Sequence, residues 1–190
     1  MRTTGRSALV LLAVTLTVTP LRRLLSVLSR RTARRYGKRI SDWNWLVRLR
    51  RPLGLWCFAY TLAHLWLFLE FDIAWDWSSA WIEIGEKPYL TAGSLALLLL
   101  IPIAATSTQA MMRRLGKNWV RLHRLSYLVA ILGLLHFWWL VKPGLWRPLP
   151  DSLVLGGLLA YRVLLHTGWM EQWKGWDGSE VPEAPGERRR

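Results

Sequence analysis

Apolar residues collect in five runs along the chain, and polar connections separate them. The runs are Ala8–Leu21, Leu53–Leu69, Tyr89–Ser107, Lys117–Val141 and Leu153–His166. A helix needs about 20 mostly apolar residues to cross a bilayer, and the fourth run, which is basic at its front end, is long enough. The first run is short, but tilt or local thinning of the bilayer can complete such a span. The pattern predicts an all-α fold, a polytopic membrane helix bundle of about five spans.

The charged residues lie in the connections, which alternate in sign. The segment from Arg22 to Arg51 is the most basic, whereas Glu70 to Lys87 is acidic and rich in tryptophan. Because short basic loops stay in the cytoplasm, the second and fourth runs are expected to cross outward and the third and fifth inward. The net charge of +14 is therefore typical of a membrane protein with basic cytoplasmic loops and does not indicate nucleic acid. The basic segment could also dock anionic lipid or an acidic cytosolic partner.

Two further features bound the organisation of the chain. Cys57 is the only cysteine, which excludes an intrachain disulfide, a Cys-ligated zinc site and a cysteine-held iron–sulfur cluster. No polar segment is long enough for a soluble domain. Residues 1–170 are predicted to form one membrane domain, and residues 171–190 a disordered cytoplasmic tail. The tryptophans of the acidic connection are interpreted as membrane anchors, and they are Trp75, Trp77 and Trp81.

Histidines within the apolar runs are the candidate functional residues. His123 and His136 lie thirteen positions apart, which is roughly 20 Å along a helix, so they sit at opposite depths. His64 lies five residues before the outer end of the second run, and His136 five before the outer end of the fourth. Two imidazoles at one level, on two helices of a bundle, are what a b-type haem requires. The alternative is that these histidines are structural and bond to neighbouring helices.

A second cofactor site would involve His123 and, by depth, His166 at the inner end of the fifth run. At about 100° per residue, His136 lies about 140° around a straight helix from His123. A distortion at Gly133 would ease this, or two cofactors could occupy different flanks, and the sequence leaves both open. Arg124 and Arg162 could neutralise haem propionates or a flavin phosphate, or simply reach the headgroups. No catalytic residue is predicted.

Four stretches of the chain resemble a known family. RRPLGLWCFAYTLAHL, EKPYLTAG, TSTQAMMRRLGKNWVRLHRLSYL and LLHFWWLVK are similar to the MsrQ (YedZ) family, the haem-binding membrane subunits of the bacterial periplasmic methionine sulfoxide reductase system. That family belongs to the ferric reductase-like transmembrane superfamily. The similarity covers about Thr4 to His166. The resemblance implies that the haem-iron ligands are His64, His123 and His136, while His166 has no counterpart in the family.

The resemblance also implies a function in the bacterial inner membrane. Such a protein would carry electrons through one or two b haems to the periplasmic molybdopterin enzyme MsrP, from the quinone pool or a cytosolic flavin reductase, with FMN as a further cofactor. It would be an electron-transfer subunit rather than the catalytic one. The family has six spans, and this chain starts at what resembles the second, so a late start codon or a truncated gene is expected. The competing hypotheses are a stand-alone ferric or oxygen reductase and a non-redox membrane scaffold or transporter.

Overall fold

The computed structural model describes residues 2–30, 39–141 and 148–166. Its elements are α1 (Arg2–Arg30), a 3-10 turn (Ile40–Trp43), α2 (Trp45–Phe71), α3 (Trp77–Glu86), α4 (Pro88–Ala105), α5 (Gln109–Leu115), α6 (Lys117–His123), α7 (Leu125–Leu140) and α8 (Leu149–His166). No strand occurs in these residues. The predicted all-α fold is confirmed.

Four segments of the described chain are long and apolar enough to cross a membrane. They are Thr3–Arg30, Ile40–Phe71, Pro88–Ala105 and Lys117–Leu140. The fifth predicted run is helical as well, in α8, but that helix carries Asp151 and Arg162 and is not one of the four. The protein is therefore a multi-pass membrane helix bundle, with four clear spans and a fifth helix beside them.

The first helix is longer than its apolar run predicts. The apolar run ends at Leu21, directly after Pro20. The helix α1 nevertheless continues through Pro20 to Arg30. An internal proline removes only one backbone hydrogen bond, and the segment beyond it still packs, since Ser26 is buried and donates to the Arg23 carbonyl at 2.8 Å. Part of the predicted basic loop is thus helical, while its centre, residues 31–38, lies outside the described residues.

The fourth run is not one regular helix. It breaks at Arg124, between α6 and α7, where the Arg124 N–H donates to Arg121 O at 3.2 Å and the Tyr127 N–H donates to Arg124 O at 3.0 Å. Bonds that span three residues wind the backbone more tightly than the helical spacing of four. The predicted site of distortion, Gly133, lies in regular helix and serves packing instead, because a Cβ there would come within 2.9 Å of Leu9 Cδ2.

Two antiparallel pairs build the bundle. We call α1 with α2 the first hairpin, and α4 with α7 the second hairpin, after the helices that pack most closely. The core of the bundle, to which α8 also contributes, combines alanines, which let helix backbones approach in a membrane, with larger apolar residues. The buried core residues are Ala8, Leu12, Leu16, Cys57, Ala96, Leu100, Val129, Ala130 and Leu155.

The fifth helix, α8, is held against α1 at both ends. Near its start Asp151 Oδ2 lies 3.5 Å from Arg6 Nε. Towards its end Arg162 Nη2 donates to Thr19 Oγ1 at 2.5 Å. Leu155, between these contacts, is only 1% exposed. These contacts place the guanidinium of Arg162 at the basic end of the bundle.

The acidic connection contains a helix of its own, α3. Its N-cap Asp76 accepts hydrogen bonds from the hydroxyls of Ser78 and Ser79, both at 2.6 Å, and from the Ser78 N–H at 3.0 Å. The Ser78 hydroxyl, the Ser79 hydroxyl and the Ser78 backbone N–H, in that order, hold the pKa of Asp76 at about 2. Trp77 and Trp81 are exposed on α3, and their role as membrane anchors stays a prediction.

Candidate functional site

The structure brings together the two histidines that the sequence places at one level. His64, on α2, and His136, on α7, have ring centroids 6.1 Å apart, and their planes are nearly perpendicular at 86°. Each histidine belongs to a different hairpin, so the pair lies where the two hairpins meet. Both side chains are half-buried.

A backbone carbonyl orients one of the two rings. His136 Nδ1 lies 2.6 Å from the carbonyl oxygen of Tyr89, the second residue of α4. A carbonyl can only accept, so His136 Nδ1 donates, and a neutral ring then keeps its lone pair on Nε2. This is the usual arrangement around a metal-bound histidine. On the other side, His64 Nδ1 lies 3.3 Å from Thr4 Oγ1 of α1.

Each histidine is backed by a glycine on the partner helix of its own hairpin. A Cβ on Gly93 of α4 would come within 2.7 Å of His136 Nδ1, and one on Gly5 of α1 within 3.3 Å of His64 Cε1. Any larger residue at position 93 would therefore displace the His136 ring from the Tyr89 carbonyl. Neither these glycines nor Tyr89 were predicted as site residues from the sequence. Tyr89 and Gly93 nevertheless lie in EKPYLTAG, one of the stretches that resemble the family.

The spacing of the two rings fits a shared metal ion. An imidazole nitrogen binds a metal at about 2 Å, and the ring centre lies about 1 Å further away, so two imidazoles on opposite sides of one ion have centres about 6 Å apart. The observed distance is 6.1 Å. Within the described ranges no group of three or more His, Cys, Asp or Glu residues comes together as a metal site. Two imidazoles at this spacing could be the protein ligands of a haem iron, whose other ligands the porphyrin supplies.

The third predicted ligand, His123, lies apart from this pair. It is the last residue of α6, its Nδ1 donates to the Trp119 carbonyl at 3.1 Å, and its ring stacks on Trp119 with centroids 3.9 Å apart. No second histidine pairs with it among the side chains that the structure describes, and the side chain of His166 lies outside them. A second cofactor pair therefore remains a prediction.

The two arginines singled out from the sequence have different surroundings. Arg124 is exposed at the break between α6 and α7. Arg162 is half-buried, and its guanidinium lies 5.6 Å from the centre of the Tyr127 ring. The structure adds Arg50, which interacts electrostatically with Arg162 and with Arg22; the sequence did not distinguish Arg22 and Arg50 from the other basic residues.

A multi-pass membrane bundle with a histidine pair between its hairpins is the class of protein that these features define. Residues 4–134 match the family described as ferric reductase like transmembrane component. The chain is also 41% identical over 172 residues to the protein-methionine-sulfoxide reductase heme-binding subunit MsrQ of Herminiimonas arsenicoxydans, covering 90% of this chain and 71% of that protein. The chain therefore belongs to the ferric reductase-like transmembrane family and, within it, to the MsrQ family.

A second relative agrees with this assignment. The MsrQ heme-binding subunit of Xanthomonas campestris pv. campestris strain 8004 is 44% identical over 160 residues, which are 84% of this chain and 66% of that protein. The chain thus spans about two thirds of the length of the relatives it matches. No solved structure matches the chain.

Proposed function

We propose that this protein is a transmembrane electron conduit in which His64 and His136 hold a b-type haem between the two hairpins. The observation that carries the proposal is the facing pair of rings, 6.1 Å apart and at 86°. Haem, when bound, supplies reversible one-electron chemistry at its iron. The names of the relatives, heme-binding subunits, support the same cofactor.

The surrounding residues prepare His136 for this role. The Tyr89 carbonyl accepts a hydrogen bond from Nδ1 and so keeps the proton on that atom. The Nε2 lone pair can then bind a metal, and the hydrogen bond also fixes the orientation of the ring. Because Gly93 has no side chain, the His136 ring can come close enough to the Tyr89 carbonyl to make the 2.6 Å hydrogen bond. The helices that carry the pair are mostly apolar, and an apolar shell around a metal site helps set the potential of a bound iron.

The direction of transfer forms the second part of the proposal. Electrons would enter from the quinone pool or a cytosolic flavin reductase and leave at the periplasmic face of the bacterial inner membrane, towards an MsrP-type molybdopterin reductase. This follows from the resemblance to the MsrQ family, which also brings FMN as a candidate cofactor. The acidic, tryptophan-rich connection from Glu70 to Lys87 is the face expected outside. His123 would serve a second haem site nearer the basic end.

The first experiment is an absorption spectrum of the detergent-purified chain, oxidised and then reduced with dithionite. We expect sharp reduced b-type bands in the wild type, loss of most of this signal in His64→Ala and in His136→Ala, and retention of the outer-site bands in the matched control His123→Ala. A part of the signal that only His123→Ala removes would report the second haem. An intact wild type that takes up no haem would contradict the proposal.

The acceptor is tested separately from the cofactor. The dithionite-reduced chain is mixed anaerobically with the oxidised periplasmic reductase and methionine sulfoxide, and reoxidation of the haem is followed by stopped flow. Reoxidation that requires the partner protein supports the conduit hypothesis. Equally fast reoxidation by ferric citrate or oxygen alone would instead favour the stand-alone reductase.

A further inference from the structure

Three arginines from three different helices converge at the basic end of the bundle. Arg162, on α8, donates to Thr19, which lies one helical turn before Arg22 on α1. Arg22 in turn donates to the Ile40 carbonyl and to Asn44 just before α2, the helix that carries Arg50. Arg50 also interacts electrostatically with both of the other arginines. We call these residues the inner arginine cluster. All three are half-buried, whereas their neighbours Arg23 and Arg51 are exposed. The three side chains therefore share the basic end of the bundle and are less exposed than their neighbours.

The contacts around the cluster hold it in place but do not neutralise it. Arg162 donates from Nη2 to Thr19 Oγ1, and Arg22 donates from Nη2 to the Ile40 carbonyl at 3.3 Å and to Asn44 Oδ1. These acceptors are neutral. In the described part of the chain the ion pairs are Arg6 with Asp151 and Lys87 with Glu83, so no described carboxylate pairs with the cluster.

Two nitrogen atoms of the cluster are buried without a hydrogen-bond acceptor. They are Arg22 Nε and Arg162 Nε, each shielded from solvent and unpaired among the described residues. A buried, unpaired donor on a charged group is costly, and three like charges brought together repel one another. An anion that accepted these hydrogen bonds would relieve both costs.

The chemistry of the cluster selects the kind of anion. Guanidinium groups present planar forks that match the oxygens of phosphate and carboxylate groups. A phosphate group, whether in a diester or a monoester, offers tetrahedrally placed oxygens to several guanidinium groups at once. A monoester also carries close to two negative charges at neutral pH, which balances three cations better than a single carboxylate does. Tyr127, under the guanidinium of Arg162 at 5.6 Å, adds an aromatic wall. We propose that Arg22, Arg50 and Arg162 bind a phosphate group at the basic end of the bundle.

Such a group has two possible sources, the headgroup of an anionic phospholipid or a soluble phosphate ester. The test measures thermal stability of the full chain in a neutral detergent, titrated with short-chain phosphatidylglycerol, with inorganic phosphate and with phenyl phosphate. Sodium chloride and sodium acetate at equal ionic strength are the controls. A ligand that binds only the folded chain raises the melting temperature in a saturable way.

We expect saturable stabilisation by at least one phosphate probe, with affinity reduced about 10- to 100-fold in Arg50→Gln and in Arg162→Gln, since hydrogen bonds to charged groups are lost. The exposed controls Arg23→Gln and Arg51→Gln should change it by at most about fivefold. If only phosphatidylglycerol raises the melting temperature, the natural ligand is a lipid headgroup. If phenyl phosphate and inorganic phosphate also raise it, the ligand is a soluble phosphate ester.

Several outcomes would overturn the proposal. These are stabilisation by acetate equal to that by phosphate, equal losses in the exposed-arginine controls, or no saturable response of the wild type to any phosphate probe. The wild-type titration decides the matter even when a glutamine variant does not fold. The measurement needs no haem signal, so its result is independent of the electron-conduit proposal.

Discussion

The two ends of the bundle carry different polar groups, a pair of histidines at one end and a cluster of arginines at the other. At the end next to the acidic connection, which we call the outer level, His64 and His136 have ring centroids 6.1 Å apart, a backbone carbonyl orients His136, and two glycines leave room for the rings. At the basic end, which we call the inner level, Arg162 and Arg22 donate to neutral hydroxyl, amide and carbonyl acceptors, and Arg50 lies on the neighbouring helix. The first arrangement leaves the lone pair on Nε2 of a neutral His136, and the second leaves positive charge without a carboxylate partner among the described residues. One helix bundle can therefore present two chemically distinct sites, because α1 and α2 carry different side chains at the two levels.

The outer site should break most readily at Gly93. In Gly93→Ala the new methyl group would lie 2.7 Å from His136 Nδ1, so the ring must leave the Tyr89 carbonyl. Losing such an outer-shell contact typically costs 10- to 100-fold in metal affinity, and we expect haem affinity to fall by about tenfold or more. Haem titration of the purified apoprotein measures this.

Gly54→Ala is the matched control, because a Cβ at Gly54 has nothing within 4 Å and the residue lies on α2, the helix of His64. Equal affinity in Gly93→Ala and Gly54→Ala would contradict the role given to Gly93.

A smaller effect is expected between the two levels, at Gly133. The methyl group of Gly133→Ala would lie 2.9 Å from Leu9 Cδ2, the far end of a flexible side chain that can partly move away. Overpacking of this kind costs about 1 kcal/mol or somewhat more, so a modest drop in melting temperature should appear in the apoprotein. The double variant with Leu9→Ala should recover most of it, and a failure to recover would show that the contact is not the cause.

The outer connection should respond to acid locally. Hydrogen bonds hold the pKa of Asp76 at about 2, below its usual value of 3.8, so the charged form favours the folded cap. That stabilisation is complete above about pH 4 and is lost as the pH falls towards 2. The protection factors of the amides in the first turn of α3, measured by hydrogen exchange and mass spectrometry from about pH 5 to about pH 2, should fall at the acid end. In Asp76→Asn this acid-dependent loss of protection should be absent.

The smallest expected effect is that of Arg162→Gln, at the basic end of the bundle, on the haem spectrum. Arg162→Gln changes the inner cluster but no contact of His64 or His136, so the position of the reduced haem bands should stay unchanged, as in the control Arg23→Gln. The reduced spectrum measures this. A shifted or absent band in Arg162→Gln alone would mean that the two levels are not independent.

Depth along the membrane could be predicted from the sequence, but direction around each helix could not. The apolar runs and the rise of about 1.5 Å per residue place His64 level with His136, and the structure brings them together. Helices that are apolar on most sides carry little periodicity, so the face of a residue cannot be deduced from spacing. Gly5, Gly93 and the three convergent arginines depend on that missing information.

Irregular backbone was the other source of difference. The sequence suggests Gly133 as the place for a distortion of the fourth run, yet the backbone changes at Arg124. Glycine in a membrane helix often permits close packing, and Gly133 does so against Leu9. Likewise, Pro20 marks the end of an apolar run but not the end of α1. Hydropathy describes where lipid can be, which is not the same as where a helix stops.

The division of the histidine pair between two hairpins has a consequence for biosynthesis. Each hairpin can enter the membrane as a separate unit, and neither one alone holds both imidazoles. Under the proposed function, a haem iron could bind both His64 and His136 only after the two hairpins have docked, and it would then link them. Cofactor loading would then mark the completion of assembly, and chains whose hairpins had failed to meet would remain colourless and open to membrane proteases.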